Sequence, residues 1–133
     1  VTGIWDYILY GCTSLTNITL SCGIPGEGTA CFSFSPYLFP QCTQDNLTID
    51  FRNWTSLTHC NFVGFLSGNN TQNQVKLIFP DIDHYVGYWQ SGINDIGGEN
   101  FKGKLYVRDE FKTKYETEDN WINKFDIYTY DDL

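Results

Sequence analysis

Short runs of β-branched and aromatic residues recur along the chain, each set off from the next by a cluster of turn formers. The alternation is clear in Leu47-Thr48-Ile49-Asp50-Phe51, where every second residue is apolar, the period of a strand with one buried face. Runs of this kind over 4–10, 17–21, 30–35, 47–52, 61–66, 74–79, 84–90, 104–107 and 125–130 predict about nine short strands. Gly23-Ile24-Pro25-Gly26-Glu27-Gly28, Ser67-Gly68-Asn69-Asn70 and the stretch 92–100 supply the Gly, Asn, Ser and Pro that turns require.

Strands at this spacing, punctuated in this way, predict a mainly β fold, an antiparallel sandwich or barrel. The one helical candidate is 108–123, where charged residues dominate and Phe111, Tyr115 and Trp121 fit a helical period only in part, so at most one short helix is expected. No internal repeat, low-complexity tract or linker divides the 133 residues, which predict a single domain able to bury a core.

Composition sharpens this picture. Aromatic residues make up 17% of the chain and charged residues 18%, so rings carry much of the apolar content, which favours strands. The net charge of −8 excludes a nucleic-acid partner as an expectation, because a phosphate backbone demands a basic footprint. The charge is uneven: residues 1–51 hold no Lys or Arg, and all eight basic residues run from Arg52 to Lys124. No apolar stretch is long enough to span a bilayer as a helix, and the N-terminus lacks the layout of a signal peptide. A chain that starts at Val1 and contains no Met reads as a piece excised from a larger secreted or surface protein.

The five cysteines, Cys12, Cys22, Cys31, Cys42 and Cys60, all fall in the N-terminal half. Their spacing lacks the close Cys pairs of a zinc site, so a disulfide-stapled framework is expected, with the pairing open and one cysteine left over. N-x-Thr sequons at Asn17, Asn46, Asn53 and Asn69 predict N-glycosylation, and four of them beside a cysteine cluster predict an extracellular protein. Sugars on that half would leave the segment 72–133 as the more open protein surface.

Candidate chemistry is sparse. The only histidines are His59 and His84, neither in a nucleophile motif, and His59 beside Cys60 reads as a surface His next to a disulfide cysteine. Asp81, Asp83, Asp109 and Glu110 are available carboxylates but form no recognisable acid/base pair, so no enzyme, cofactor or metal is expected. Asp81-Ile82-Asp83 could offer oxygen ligands to calcium, although a solvated loop after Pro80 is the favoured reading.

Aromatic residues supply the binding candidates. His84-Tyr85-Val86-Gly87-Tyr88-Trp89 puts rings on both faces of one strand, which makes Tyr85, Tyr88 and Trp89 anchors for a partner. Tyr128 and Tyr130, beside Asp131 and Asp132, form a second candidate group in an acidic C-terminal stretch. The function expected is protein recognition: a receptor-binding or host-factor-binding part of a surface glycoprotein, viral envelope or attachment protein in style. Its partner would be a protein receptor or a secreted host protein. The alternative is a lectin-like carbohydrate-binding module, calcium-dependent if Asp81 and Asp83 bind the ion.

Overall fold

The computed structural model describes Ser14, residues 16–19, 31–33, 46–52 and 59–61, Phe65, Leu66, Gly68, Asn69, and residues 72–79, 90–91, 93–117 and 120–133. For 31–33, 59–61, 72–73 and 90–91 it gives the backbone alone. The predicted strand 4–10 lies outside these residues.

Strands β1 (Asn17–Thr19), β2 (Cys31–Ser33), β3 (Thr48–Asp50), β4 (His59–Asn61), β5 (Gln72–Ile78), β6 (Gln90–Ser91), β7 (Lys102–Val107) and β8 (Phe125–Thr129) follow one another along the chain, with one α-helix, α1 (Lys112–Thr117), between β7 and β8. Each of β1 to β5 pairs with the second strand after it, and β7 pairs with β8 directly. The larger sheet has the order β1-β3-β5-β7-β8, and the smaller has β2-β4-β6. Every pairing in both sheets is parallel.

This overturns the expected antiparallel sandwich or barrel of about nine strands. The physical reason lies in the connections. A parallel neighbour needs a crossover of a dozen or more residues, and up to β7 the segment between two neighbours in one sheet contains a strand of the other. The chain therefore winds, visiting the two sheets in turn, and each full circuit lays a new strand beside the last. Along the larger sheet Asn17 sits opposite Thr48, Thr48 opposite Lys76, Lys76 opposite Lys104 and Lys104 opposite Asp126, steps of 31, 28, 28 and 22 residues. That is the topology of a solenoid, in which each coil mainly contacts its neighbours.

The expectation of no internal repeat is corrected in the same way. The repeating unit is a five-residue tract recurring at the coil period: Leu47-Thr48-Ile49-Asp50-Phe51, Val75-Lys76-Leu77-Ile78-Phe79, Gly103-Lys104-Leu105-Tyr106-Val107 and Phe125-Asp126-Ile127-Tyr128-Thr129. The central residues form one inward row, in which Ile18, Ile49, Leu77, Leu105 and Ile127 lie in register across five strands. Ile49, Leu77, Leu105 and Ile127 are buried, and Ile18 packs partly against them. Leu47, Val75 and Phe125 on one side of that row and Phe51, Phe79 and Val107 on the other belong to the same core. Fully burying an aliphatic side chain of this size contributes about 1.5–3 kcal/mol, so the stacked rows are the main stabilising feature of the winding.

The last coil differs. In place of a strand of the smaller sheet, the chain returns from β7 through a 3₁₀ turn (Asp109–Phe111), α1 and a second 3₁₀ turn (Trp121–Asn123). The helix falls inside the segment 108–123 that the sequence marks as helical. Its one buried residue, Tyr115, meets Phe79 edge-on at 5.8 Å and Trp121 at 5.6 Å between ring centroids. Trp121 in turn packs on Phe79 at 5.2 Å and on Phe125 at 5.8 Å. Among the described residues an aromatic cluster thus forms where the helix closes the last coil.

The expected disulfide staples are not seen among the described residues; of the five cysteines only the backbones of Cys31 and Cys60 are described. Cys31 and Cys60 lie on the neighbouring strands β2 and β4 one register step apart, Cys31 opposite His59 and Cys60 opposite Phe32. Cys12, Cys22 and Cys42 lie outside the described residues.

Candidate recognition face

In a strand, residues alternate between the two faces of the sheet, so the positions between the inward rows point outward. Two outward rows run across the larger sheet: Asn17, Thr48, Lys76, Lys104 and Asp126, and next to them Thr19, Asp50, Ile78, Tyr106 and Tyr128. Toward β1 these rows are small and polar. Toward β8 they become aromatic and charged.

The centre of the second row is a pair of stacked rings. Tyr106 and Tyr128, in register on β7 and β8, lie 5.3 Å apart between centroids at an interplanar angle of 24°. The ammonium of Lys76 stands 5.9 Å from the centroid of Tyr106, and that of Lys104 stands 5.9 Å from that of Tyr128. The two contacts share one geometry. Each lysine leans toward the tyrosine two residues further along on the next strand, so the coil repeat generates a repeated cation–π contact, worth about 0.5–1 kcal/mol at an exposed site.

Ile78 and Tyr106 are each only 4% exposed, yet neither belongs to the interior cluster. Tyr128, beside Tyr106, remains partly exposed. Burial is the first cause that pushes the Tyr106 phenol above its ordinary value, with the neighbouring Tyr128 and Asp132 adding to it. The ring therefore stays neutral at physiological pH.

Charged pairs border the strip. At one end Arg52 grips Asp50, Nε donating to both carboxylate oxygens at 3.0 Å and a terminal guanidinium nitrogen to one of them at 2.6 Å. Burial pushes the Asp50 carboxyl up, but the side-chain and backbone bonds from Arg52, together with its charge, outweigh this and hold the group below its usual value. At the other end Lys102 donates to the Ile122 carbonyl at 2.7 Å and stands 3.6 Å from Asp126.

Of the binding candidates read from the sequence, Tyr128 lies in the strip. The hydroxyl of Tyr130 donates to the Phe79 carbonyl, which ties the C-terminal 3₁₀ turn (Tyr130–Asp132) back across β7 to the end of β5. Tyr85, Tyr88 and Trp89 lie outside the described residues, as do His84, Asp81 and Asp83. Asp109 and Glu110 are exposed at the start of the helical return, where Glu110 meets Arg108 at 3.0 Å.

No known protein family, curated protein or solved structure matches the chain. The site must be read from its own geometry. Sequence reasoning missed Tyr106, Lys76 and Lys104, because only the coil period brings them beside Tyr128. The signal that could have found them is the recurrence of Lys-Leu-Ile and Lys-Leu-Tyr 28 residues apart.

The sequons fall in different environments. Asn17 opens β1 in the first outward row, and Asn46 lies two residues before β3; both are exposed. Asn69 is 1% exposed, and Asn53 lies outside the described residues. Among the described residues no three His, Cys, Asp or Glu side chains converge as a metal-binding group, and no helix is long and apolar enough to cross a membrane.

Proposed function

We propose that this protein is an extracellular protein-recognition module, a receptor-binding or host-factor-binding part of a surface glycoprotein, and that it binds through the outward face of β5, β7 and β8. The observation that carries this reading is the stacked Tyr106–Tyr128 pair with Lys76 and Lys104 over its rings. Tyrosines offer large, rigid contact area with few rotatable bonds, and they are enriched where interfaces have their anchors. Tyr128 is the partly exposed ring of the pair and the buried Tyr106 backs it on a sheet face, an arrangement that suits a protein surface better than the concave pocket that encloses a small molecule.

Charge indicates the partner's chemistry. In a chain of net charge −8, two lysines sit on adjacent strands at the centre of the strip. A partner with an acidic patch around an apolar centre would match them, and long-range attraction to that patch would favour the productive orientation. Four sequons and five cysteines support the extracellular setting.

Binding of the purified protein to intact animal cells tests the proposal, with the cells treated beforehand with protease or with glycosidases. Loss of binding after protease, together with a drop of about tenfold for Lys104→Glu, a change of roughly 1.4 kcal/mol, is the expected result. Loss after glycosidase alone would favour the carbohydrate-binding reading, for which stacked tyrosines are also suited.

A further inference from the structure

The coil corner that holds Phe65, Leu66, Gly68 and Asn69 is tied by backbone bonds, and its last residue is buried. The Asn69 N–H donates to the Leu66 carbonyl at 2.8 Å, and the Asn69 carbonyl accepts the N–H of Gly98 at 2.7 Å. One step away, the Phe65 carbonyl accepts the N–H of Gly97 at 2.7 Å, so two successive coils are bonded together at this corner. Leu66 adopts a left-handed φ of 56° to make the turn. Among the described residues Asn69 is the one buried residue with a non-aromatic polar side chain, 1% exposed, and its backbone bonds to Leu66 on one side and to Gly98 on the other.

Asn69 is also the acceptor of the sequon Asn69-Asn70-Thr71. A linked oligosaccharide is bulky and hydrated and must leave its asparagine toward solvent. Asn17 and Asn46 meet that requirement, since both are exposed. They are also neighbours. The Thr48 N–H bonds to the Thr16 carbonyl at 2.8 Å, and Asn17 lies opposite Thr48, two residues beyond Asn46. At about 4.8 Å between strands and 3.3 Å per residue, the two attachment points are roughly 8 Å apart.

We infer that Asn17 and Asn46 carry N-linked oligosaccharides that fence the β1 margin of the large sheet, while the Asn69 sequon is silent and its asparagine serves the coil corner. The inference rests on the extracellular setting proposed above. It adds an asymmetry to the recognition face. Asn17 belongs to the same outward row as Lys76 and Lys104, two and three strands away, so its sugar stem would stand about 10 Å from the nearer lysine. A partner would approach from the β8 side. Occupancy of Asn69 and closure of the corner exclude each other, so any chain modified there before folding would be lost from the folded pool.

The test is to secrete the protein from cultured eukaryotic cells, release the glycans enzymatically in heavy-oxygen water, and read each sequon by peptide mass spectrometry. Asn17 and Asn46 should convert to labelled Asp and Asn69 should not. Thr71→Ala, which removes the sequon and keeps Asn69, should leave the glycoprotein's mass unchanged apart from the substitution, whereas Thr19→Ala should remove the mass of one glycan. Labelled Asp at position 69 in folded, protease-resistant protein would overturn this inference and leave the extracellular reading intact. A secreted protein with no label at any sequon would overturn both.

Discussion

Gly103 lies beneath the ring of Phe125, so close that a β-carbon on it would come within 2.8 Å of the ring's Cε1 and 3.0 Å of the Phe101 ring. The two residues face each other in register on β7 and β8, and the missing side chain of one makes space for the ring of the other. Phe101 fills the remaining gap, edge-on to Phe125 at 5.6 Å. Gly103→Ala should therefore destabilise the protein by about 1–3 kcal/mol through overpacking, measured by urea denaturation. In the double variant with Phe125→Leu the alanine's penalty should shrink; additive effects would show that the ring is not what the alanine meets.

A second glycine is fixed by backbone as well as by space. Gly97 has φ +67°, and a β-carbon there would fall 2.2 Å from Cγ of Phe101. Phe101 is held in the core and has no open side to move into. Gly97→Ala should cost more than Gly103→Ala, since a left-handed φ adds of order 1 kcal/mol or more to the steric conflict. Because Gly97 N–H bonds the Phe65 carbonyl, hydrogen exchange at that amide should speed up in the variant before the rest of the sheet is affected.

The positions of the strands were largely legible in the sequence and their partners were not. Alternation in Leu47-Thr48-Ile49-Asp50-Phe51 and in Phe125-Asp126-Ile127-Tyr128 marks β3 and β8 directly. Parallel and antiparallel strands share the same two-residue period, so alternation says nothing of direction. Direction would have had to come from the spacing. Strands close in sequence suggest hairpins when neighbours pair, but up to β7 the strand next in sequence belongs to the other sheet, and β8, which does lie beside β7, pairs with it in parallel. The repeat stayed hidden because only five residues per coil obey it, while the loops between them answer to local turns. The same gap explains the candidate strip: Tyr128 could be named from its own surroundings, but Lys104 and Tyr106 acquire meaning only once Lys104 is known to stand opposite Asp126.

The outward strip and the interior differ in what their aromatic residues should do when removed. Trp121 is 1% exposed and packs against Phe79, Tyr115 and Phe125. Trp121→Ala should lower stability by about 3–5 kcal/mol and release α1 from the core. Tyr128→Ala removes one stacked pair and one cation–π contact at the surface, so its effect on stability should be near 1 kcal/mol. Its effect on cell binding should be larger than that of any other outward-facing single substitution. A Tyr128→Ala protein that binds as before would remove the recognition face from the reading, whatever its stability.

The C-terminal turn gives a dependence on pH whose sign can be worked out. The Asp132 carboxylate accepts the backbone N–H of Thr129 at 2.9 Å and its hydroxyl at 3.2 Å, a capping box that closes the 3₁₀ turn. The backbone bond, foremost, outweighs the opposing desolvation and, with the hydroxyl bond and the nearby Lys112, holds this carboxyl below its ordinary value of 3.8. Asp50 is shifted in the same direction by Arg52. A carboxyl with a depressed value in the folded state binds its proton more readily once unfolded. The stability it contributes is complete above the ordinary value of 3.8 and is lost as the pH falls through the depressed folded value. Asp132→Asn should therefore be less stable than the parent at neutral pH, the difference should begin to shrink below about pH 4, and the two should be indistinguishable once the pH lies under the depressed folded value. Urea titrations at a series of pH values would read this directly. A gap between parent and variant that persisted into strong acid would mean that the side chain's shape, and not its charge, closes the turn over Phe79.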